Sequence, residues 1–153
     1  MRKEVISKLT LNRVKRKGEY MEKLEEEKDN RSFSKRHMWA SLDEENGIAY
    51  IGITDFLAEQ LAEIESLDLP EEDDQIDMDT MCIHLHLTNR IHHLRTPLSG
   101  RVLEINKEVL DNCSLIHLDP NKYWLFSMEY DNEDEVNLLM DARQYAEYVD
   151  KLQ

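Results

Sequence analysis

Four of the six histidines crowd into one short stretch of the chain: His84, His86, His92 and His93. Neutral imidazoles are common ligands of Zn²⁺, Cu²⁺ and Ni²⁺, so a cluster of this kind could hold a metal ion. Several neighbouring imidazoles would also gain charge near neutral pH and could respond to protons. The plainer interpretation is an exposed strand face rich in histidine. We favour it because no carboxylate or cysteine pattern beyond Cys82 completes a site.

A predicted β-hairpin positions these histidines. Apolar and polar residues alternate over 81–88, which is typical of a half-buried strand with its histidines on the polar face. A short polar segment then leads into a second apolar strand. If the chain turns near Asn89, His86 lies opposite His92 or His93, within reach across the two strands.

Other patterns that could carry chemistry are weak. Cys82 and Cys113 form no Cys-x-x-Cys motif, and we interpret them as a buried strand residue and a loop thiol. Residues 71–74 are all acidic, but they lack the spaced ligands of a calcium-binding loop. No nucleophile triad, phosphate-binding loop or paired-carboxylate motif stands out in the sequence. We therefore predict no catalytic residue.

The rest of the chain from residue 37 onwards predicts short strands and few helices. The turn at 43–47 ends in Asn-Gly and predicts a hairpin between strands at 39–42 and 48–53. Thr54 is a predicted N-cap for a helix over 55–65. Further strands are predicted at 67–69, 101–105 and 123–128, and two terminal helices at 133–140 and 142–151, capped by Asn132 and Asp141. Short strands at close spacing indicate a mainly β fold, a small antiparallel barrel or sandwich with peripheral helices.

Charge is divided unevenly along the 153 residues. The net charge is −14, but residues 1–36 carry +5 and residues 37–153 carry −19. An acidic chain disfavours duplex nucleic acid as its main partner, because phosphate contacts need clustered cations. No apolar run approaches the ~20 residues of a membrane-spanning helix, so a membrane partner is not expected either.

This division predicts two regions. Residues 1–36 are predicted to form a basic arm that is partly helical, over about 22–28, or disordered, and residues 37–153 a single domain. The basic residues at 13–17 could touch an acidic surface. A mitochondrial presequence over the first 17 residues is the other possibility, although the acidic segment that follows fits it poorly.

Ten short motifs follow one another along the domain. They are 37–39 (HMW), 51–56 (IGITDF), 69–70 (LP), 96–100 (TPLSG), 102–106 (VLEIN), 110–112 (LDN), 115–116 (LI), 119–120 (DP), 124–125 (WL) and 139–142 (LMDA). Their order and spacing resemble the H protein family of the glycine cleavage system over about residues 37–150. The resemblance implies a barrel-sandwich hybrid fold related to lipoyl and biotinyl domains. It also implies a non-enzymatic carrier, whose lipoyl group on a hairpin-tip lysine moves an aminomethyl group between enzymes.

One departure from the family pattern falls on the reactive position. In the family the modified lysine lies eight residues before the proline of the Pro-x-Ser-Gly turn, and counting back from Pro97 reaches Asn89. A carboxamide nitrogen is delocalised into its carbonyl and does not attack an activated acyl group. The neighbouring Arg90 stays protonated, and no lysine occurs between Lys35 and Lys107. We therefore expect no lipoate at the family's site and no other cofactor.

Asn89 also has a plainer interpretation, as a residue that suits a turn because it tolerates left-handed backbone and caps itself; the hairpin would then be kept for the fold alone. Glycines of the family pattern are replaced as well, by Ala62, Asp73 and Tyr123, which predicts altered loops.

Three functions follow as hypotheses. The first is an H-like protein that is not lipoylated and acts by docking, with glycine decarboxylase, aminomethyltransferase, dihydrolipoyl dehydrogenase or lipoate-protein ligase as the partners that the resemblance suggests. The second is a metal- or pH-responsive module built on the histidine-rich hairpin. The third is a working aminomethyl carrier that is lipoylated elsewhere. The expected location is the cytoplasm, or the mitochondrial matrix if the arm is a presequence.

Overall fold

The computed structural model describes residues 31–153, so the predicted helix at 22–28 and most of the basic arm lie outside the described residues. The elements within this range, in chain order, are β1 (Ser32–Phe33), β2 (Met38–Asp43), β3 (Ile48–Ile53), α1 (Asp55–Gln60), β4 (Ile64–Asp68), β5 (Gln75–Ile76), β6 (Met81–Leu87), β7 (Ile91–Arg95), β8 (Gly100–Ile105), α2 (Lys107–Asp111), α3 (Ser114–Leu118), β9 (Phe126–Tyr130), α4 (Glu133–Val136) and α5 (Ala142–Leu152).

The strands form two antiparallel sheets. The larger has six strands in the order β1-β2-β3-β9-β8-β5, and the smaller has three in the order β4-β6-β7. This arrangement confirms the predicted fold class, a mainly β barrel-sandwich with peripheral helices. None of the helices in residues 31–153 is both long and apolar enough to span a membrane.

Side chains from both sheets share one core. Ile51 and Met128 of the larger sheet and Ile83 and Leu85 of the smaller one are fully buried in the same cluster. Each such side chain contributes about 1.5–3 kcal/mol through the apolar surface that it removes from water. The alternation predicted for 81–88 is confirmed for Ile83, Leu85 and Leu87, whereas Met81 is exposed beyond a bulge in the β6–β7 pairing.

The β2–β3 hairpin follows its sequence signal. Met38 pairs with Ile53 and Asp43 with Ile48, and the turn between the strands closes on Gly47, which has a φ of 69°. Glycine, which has no Cβ, adopts this left-handed conformation at no steric cost, so the hairpin predicted from Asn-Gly is confirmed together with its physical cause.

A second, smaller apolar cluster joins the two ends of the described chain. Phe33 of β1 and Tyr145 of α5 pack with Trp39, and their rings stack with centroids 4.8 Å apart. Phe33 also exchanges two backbone hydrogen bonds with Met140, of 2.7 and 2.8 Å. Residues 32–33 therefore pair with the body of the protein, five residues ahead of the predicted domain start at 37.

Four predicted elements differ from the observed ones by three or more residues at one end, and the first is the strand predicted at 67–69, which is β4 at Ile64–Asp68. Helix α1 ends at Gln60 rather than 65, because Ile64 is taken into β4 and pairs with Leu87, and this tertiary pairing overrides the helical spacing. Strand β9 begins at Phe126, after Leu125 has donated its N–H to the Ile51 carbonyl at 2.7 Å. The helix predicted over 133–140 ends at Val136.

The predicted helix caps are confirmed. The Thr54 side chain accepts from Leu57 N–H, Asn132 accepts from Asp134 N–H, and Asp141 forms a reciprocal capping box with Gln144. The short helices α2 and α3 were not predicted from the sequence. Each has five residues, too few to show a helical repeat.

Candidate functional site

The β6–β7 hairpin ends in an exposed tip formed by residues 88–90. Leu87 N–H closes the turn by donating to the Arg90 carbonyl at 2.8 Å, and Thr88 N–H donates to the Glu63 carbonyl at 3.1 Å. These hydrogen bonds fix the backbone around the turn, and Asn89 is exposed at its end.

The backbone of the tip does not require asparagine at position 89. The non-glycine residues with positive φ in the described chain are His37, Asp73 and Asp79, and Asn89 is not among them. The left-handed backbone invoked by the plainer interpretation of Asn89 is therefore absent, although the residue does lie in the turn. Asp73, by contrast, has a φ of 73° at a position where the family pattern has glycine.

The hairpin register differs from the predicted one. His84 pairs with His93, Leu85 with His92, and His86 with Ile91. The prediction that His86 lies opposite His92 or His93 is therefore wrong. The observed register keeps Ile83 and its partner Leu94 buried, and a slip by one residue would turn an apolar side chain outwards.

Two polar pairs occupy the outer face of the small sheet. The Nδ1 atoms of His84 and His93 lie 2.7 Å apart, with the rings nearly perpendicular and their centroids 4.9 Å apart. The Nε2 atom of His86 lies 2.8 Å from Asp68 Oδ2, across the neighbouring strand β4. Three of the four predicted histidines thus share this face.

His92 lies apart from the other three. It pairs with Leu85, whose side chain is buried, and Arg90 Nη1 donates to its Nδ1 at 2.9 Å. Burial, together with the nearby Arg90 and His93, lowers the pKa of His92. The structure therefore separates His92 from the outer face.

Neither cysteine joins the histidines as a reactive thiolate. Burial raises the pKa of the Cys82 thiol to about 11, and it also raises the pKa of Cys113. Both cysteines are free. Within residues 31–153 no group of three or more His, Cys, Asp or Glu side chains is arranged to hold a metal ion.

The turn after β7 anchors the hairpin to the rest of the fold. Glu135 of α4 accepts from both the backbone N–H and the hydroxyl of Ser99, each at 2.8 Å. A Cβ on Gly100 would meet the Glu129 carbonyl of β9, so only glycine permits this close approach of the strands. The Thr-Pro-Leu-Ser-Gly motif therefore acts as a structural junction.

A buried polar cluster lies around His37, and the sequence did not predict it. Tyr145 Oη lies 2.8 Å from His37 Nδ1 and 2.8 Å from Thr54 Oγ1. His37 is in left-handed backbone, with a φ of 70°, and its ring also packs against Phe56. Its signal in the sequence was only the His-x-Trp motif, since a partner 108 residues away cannot be inferred from local spacing.

The fold and the site together define a class of protein. Two antiparallel sheets around one core, with an exposed hairpin tip, form the barrel-sandwich scaffold of lipoyl-type carrier domains. The sequence profile of the family described as "Glycine cleavage H-protein" matches residues 31–152. The chain therefore belongs to the glycine cleavage H-protein family, whose members are carriers rather than enzymes.

Named relatives agree with this assignment. The chain is 32% identical to "Glycine cleavage system H protein 4" of Aquifex aeolicus over 126 residues, which cover 82% of this chain and 72% of the relative. It is 30% identical to the "Glycine cleavage system H protein" of Staphylococcus epidermidis, covering 76% and 92%. The crystal structure of a glycine cleavage system H protein from Mycobacterium marinum superposes with a TM-score of 0.67 at 25% identity, covering 78% of this chain and 95% of that one.

The tip does not fit the lipoyl group that family members carry. An amide link to lipoate needs an amine, and position 89 presents a carboxamide. The lysines of the described chain are all outside the β6–β7 hairpin: Lys35, Lys107, Lys122 and Lys151.

Proposed function

We propose that this protein is an H-family member that is not lipoylated and that acts by docking to glycine-cleavage enzymes or other lipoate-linked partners. The observation that carries the proposal is Asn89, exposed at the hairpin tip where the family motif places the acceptor lysine. The cofactor supplies the chemistry of such carriers, so a chain without it retains recognition alone.

The preserved scaffold supports a binding role. The core, the Ser99–Glu135 junction and the hairpin itself are all present, whereas the side chain at the reactive position is replaced. Because the backbone at position 89 has no positive φ, the loss of lysine is not explained by the turn geometry. A change that the fold does not require points to a changed function at the tip.

Charge suggests how partners are recognised. Residues 37–153 carry a net charge of −19, which steers the protein towards basic surfaces and speeds association with them. Glycine decarboxylase, aminomethyltransferase, dihydrolipoyl dehydrogenase and lipoate-protein ligase are the partners to test, and neither nucleic acid nor a membrane is proposed. We place this function in the cytoplasm, or in the mitochondrial matrix if the basic arm directs import.

Intact mass after co-expression with a lipoate-protein ligase and lipoate tests the absence of lipoylation. We expect the wild-type chain to keep its unmodified mass, and Asn89→Lys to gain one lipoyl group. A lipoylated family member serves as the positive control for the ligase. A lipoyl increment on the wild-type chain would overturn the proposal.

Peptide mapping distinguishes the third hypothesis, an aminomethyl carrier lipoylated elsewhere. A lipoyl group mapped to any lysine of the full chain would favour that function. Replacement of the mapped lysine by arginine, which keeps the charge but is no acceptor, should then remove the increment.

Docking is tested separately by capture of the purified partner enzymes on the immobilised full chain. We expect at least one of the four to be retained, and the retention to weaken as salt screens the acidic surface. If none is retained, the docking role is wrong, even where the absence of lipoylation is confirmed.

A further inference from the structure

We infer that the His84–His93 pair on the outer face of the small sheet is a binding site for a divalent transition-metal ion, with Cu²⁺ preferred over Zn²⁺. This inference concerns a surface beside the tip and does not depend on the proposed docking function. It rests on the placement of two imidazole nitrogens and on the partners of the neighbouring histidines.

The two nitrogens already converge. His84 Nδ1 and His93 Nδ1 lie 2.7 Å apart, so one ring donates its N–H and the other accepts with its lone pair. If the donor ring carries its proton on Nε2 instead of Nδ1, both Nδ1 lone pairs are available to a metal ion, after small rotations of the two side chains. The cross-strand pairing of His84 with His93 fixes the two Cα positions and limits the ordering that binding requires.

The ligand type indicates which metal fits. Imidazole nitrogen suits Cu²⁺, Ni²⁺ and Zn²⁺. The 2.7 Å separation belongs to the hydrogen bond that metal binding would replace, so the preference for Cu²⁺ rests on its affinity for nitrogen. Copper binds nitrogen ligands more tightly than the other first-row divalent metals.

The other two histidines of the hairpin are engaged elsewhere. His86 Nε2 lies 2.8 Å from Asp68 Oδ2, and His92 Nδ1 accepts from Arg90 at 2.9 Å. The described residues hold no group of three or more potential ligands, so we assign two protein ligands, with water completing the coordination. The sequence-predicted set of four is thereby reduced to His84 and His93.

The surroundings favour a cation at this position. Asp68 is the register partner of His84 on the neighbouring strand, and it is exposed. Its carboxylate lies on the same face as the two ligands, and residues 37–153 as a whole are strongly acidic. A negative field raises the local concentration of cations without adding a ligand.

The test titrates Cu²⁺ into the full chain at about pH 8, where protons compete little for imidazole nitrogen. Isothermal titration calorimetry gives the affinity, and the electron paramagnetic resonance spectrum reports nitrogen coupling to the copper. We expect one tight site, a signal from two nitrogens, and affinity for Zn²⁺ at least ten-fold lower. His84→Gln and His93→Gln should each weaken copper binding by ten-fold or more.

His86→Gln and His92→Gln are the matched controls, since both lie on the same hairpin and both should retain wild-type affinity. Circular dichroism checks that each variant is folded. The inference is overturned if the His84→Gln/His93→Gln double variant binds copper as tightly as the wild type. It is also overturned if either control loses as much affinity as His84→Gln, because the ligands would then be different residues.

Discussion

The phenolic oxygen of Tyr145 lies 2.8 Å from Nδ1 of His37, and this hydrogen bond connects helix α5 to the residue that precedes β2. The same oxygen lies 2.8 Å from the Thr54 hydroxyl, which also caps helix α1. One buried hydroxyl thus joins three elements that are far apart in the sequence.

Tyr145→Phe should lower the free energy of unfolding by about 1–2 kcal/mol, because it removes both hydrogen bonds while the ring can still stack on Phe33. Urea denaturation measures the change. Tyr148→Phe is the control, since that hydroxyl donates only to the exposed Lys35 carbonyl at 3.2 Å. Equal losses in the two variants would contradict the role given to the buried cluster.

Stability should rise with pH across the range in which His37 titrates. Burial lowers the pKa of His37 below its ordinary value of 6.5, so the unfolded chain binds a proton more readily than the folded one. The stabilisation is therefore complete above pH 6.5 and is lost as the pH falls below 6.5 towards the folded-state pKa.

The pH dependence can be assigned with one variant. His37→Asn removes the titrating group and keeps a residue that tolerates left-handed backbone, as a φ of 70° requires. Burial also lowers the pKa of His92, so we expect a shallower pH slope in the variant rather than none. An unchanged slope, measured by urea denaturation between about pH 5 and 8, would show that His37 does not contribute.

Local signals predicted much of the fold. Each of four signals depends on a few neighbouring residues and is found in the structure. They are the Asn-Gly turn, the apolar alternation at Ile83, Leu85 and Leu87, and the caps at Thr54 and Asp141. The boundaries that failed depend on distant pairing. Ile64 fits a helical stripe by spacing, yet it is buried in β4 because it pairs with Leu87.

The sequence predicted which histidines lie on the hairpin, but not which of them contact one another. The sequence places four histidines on one hairpin, but the register that unites His84 with His93 depends on which apolar side chains face the core. A shift of one residue decides whether two imidazoles meet. The pairing of His86 with Asp68 crosses to a third strand, β4, and hairpin spacing carries no information about it.

Gly52→Ala should be among the most damaging small substitutions in the sheet. A Cβ at this position would overlap the ring of Trp39, whose indole N–H donates to the carbonyls of Ile53 and Pro120 at 3.0 and 3.1 Å. Displacing the ring combines overpacking with loss of these bonds, which predicts a cost of about 2–4 kcal/mol.

Gly47→Ala is the matched control for Gly52→Ala. Its Cβ would meet open space, and only the left-handed backbone opposes it, at a cost of about 1 kcal/mol. Thermal unfolding followed by near-ultraviolet circular dichroism reports both the stability and the environment of Trp39. A smaller loss for Gly52→Ala than for Gly47→Ala would contradict the proposed overlap.

Asn89→Lys should restore an acceptor amine without disturbing the fold. Position 89 is exposed and has no positive φ, so the free energy of unfolding should stay within about 0.5 kcal/mol of wild type in urea. Asp73→Lys is an instructive comparison at another exposed turn. There the φ of 73° and the 2.9 Å contact of Asp73 with Arg101 predict a loss of about 1 kcal/mol or more. If Asn89→Lys were as costly as Asp73→Lys, the fold itself would require asparagine at the tip, and a changed function would not be needed to explain it.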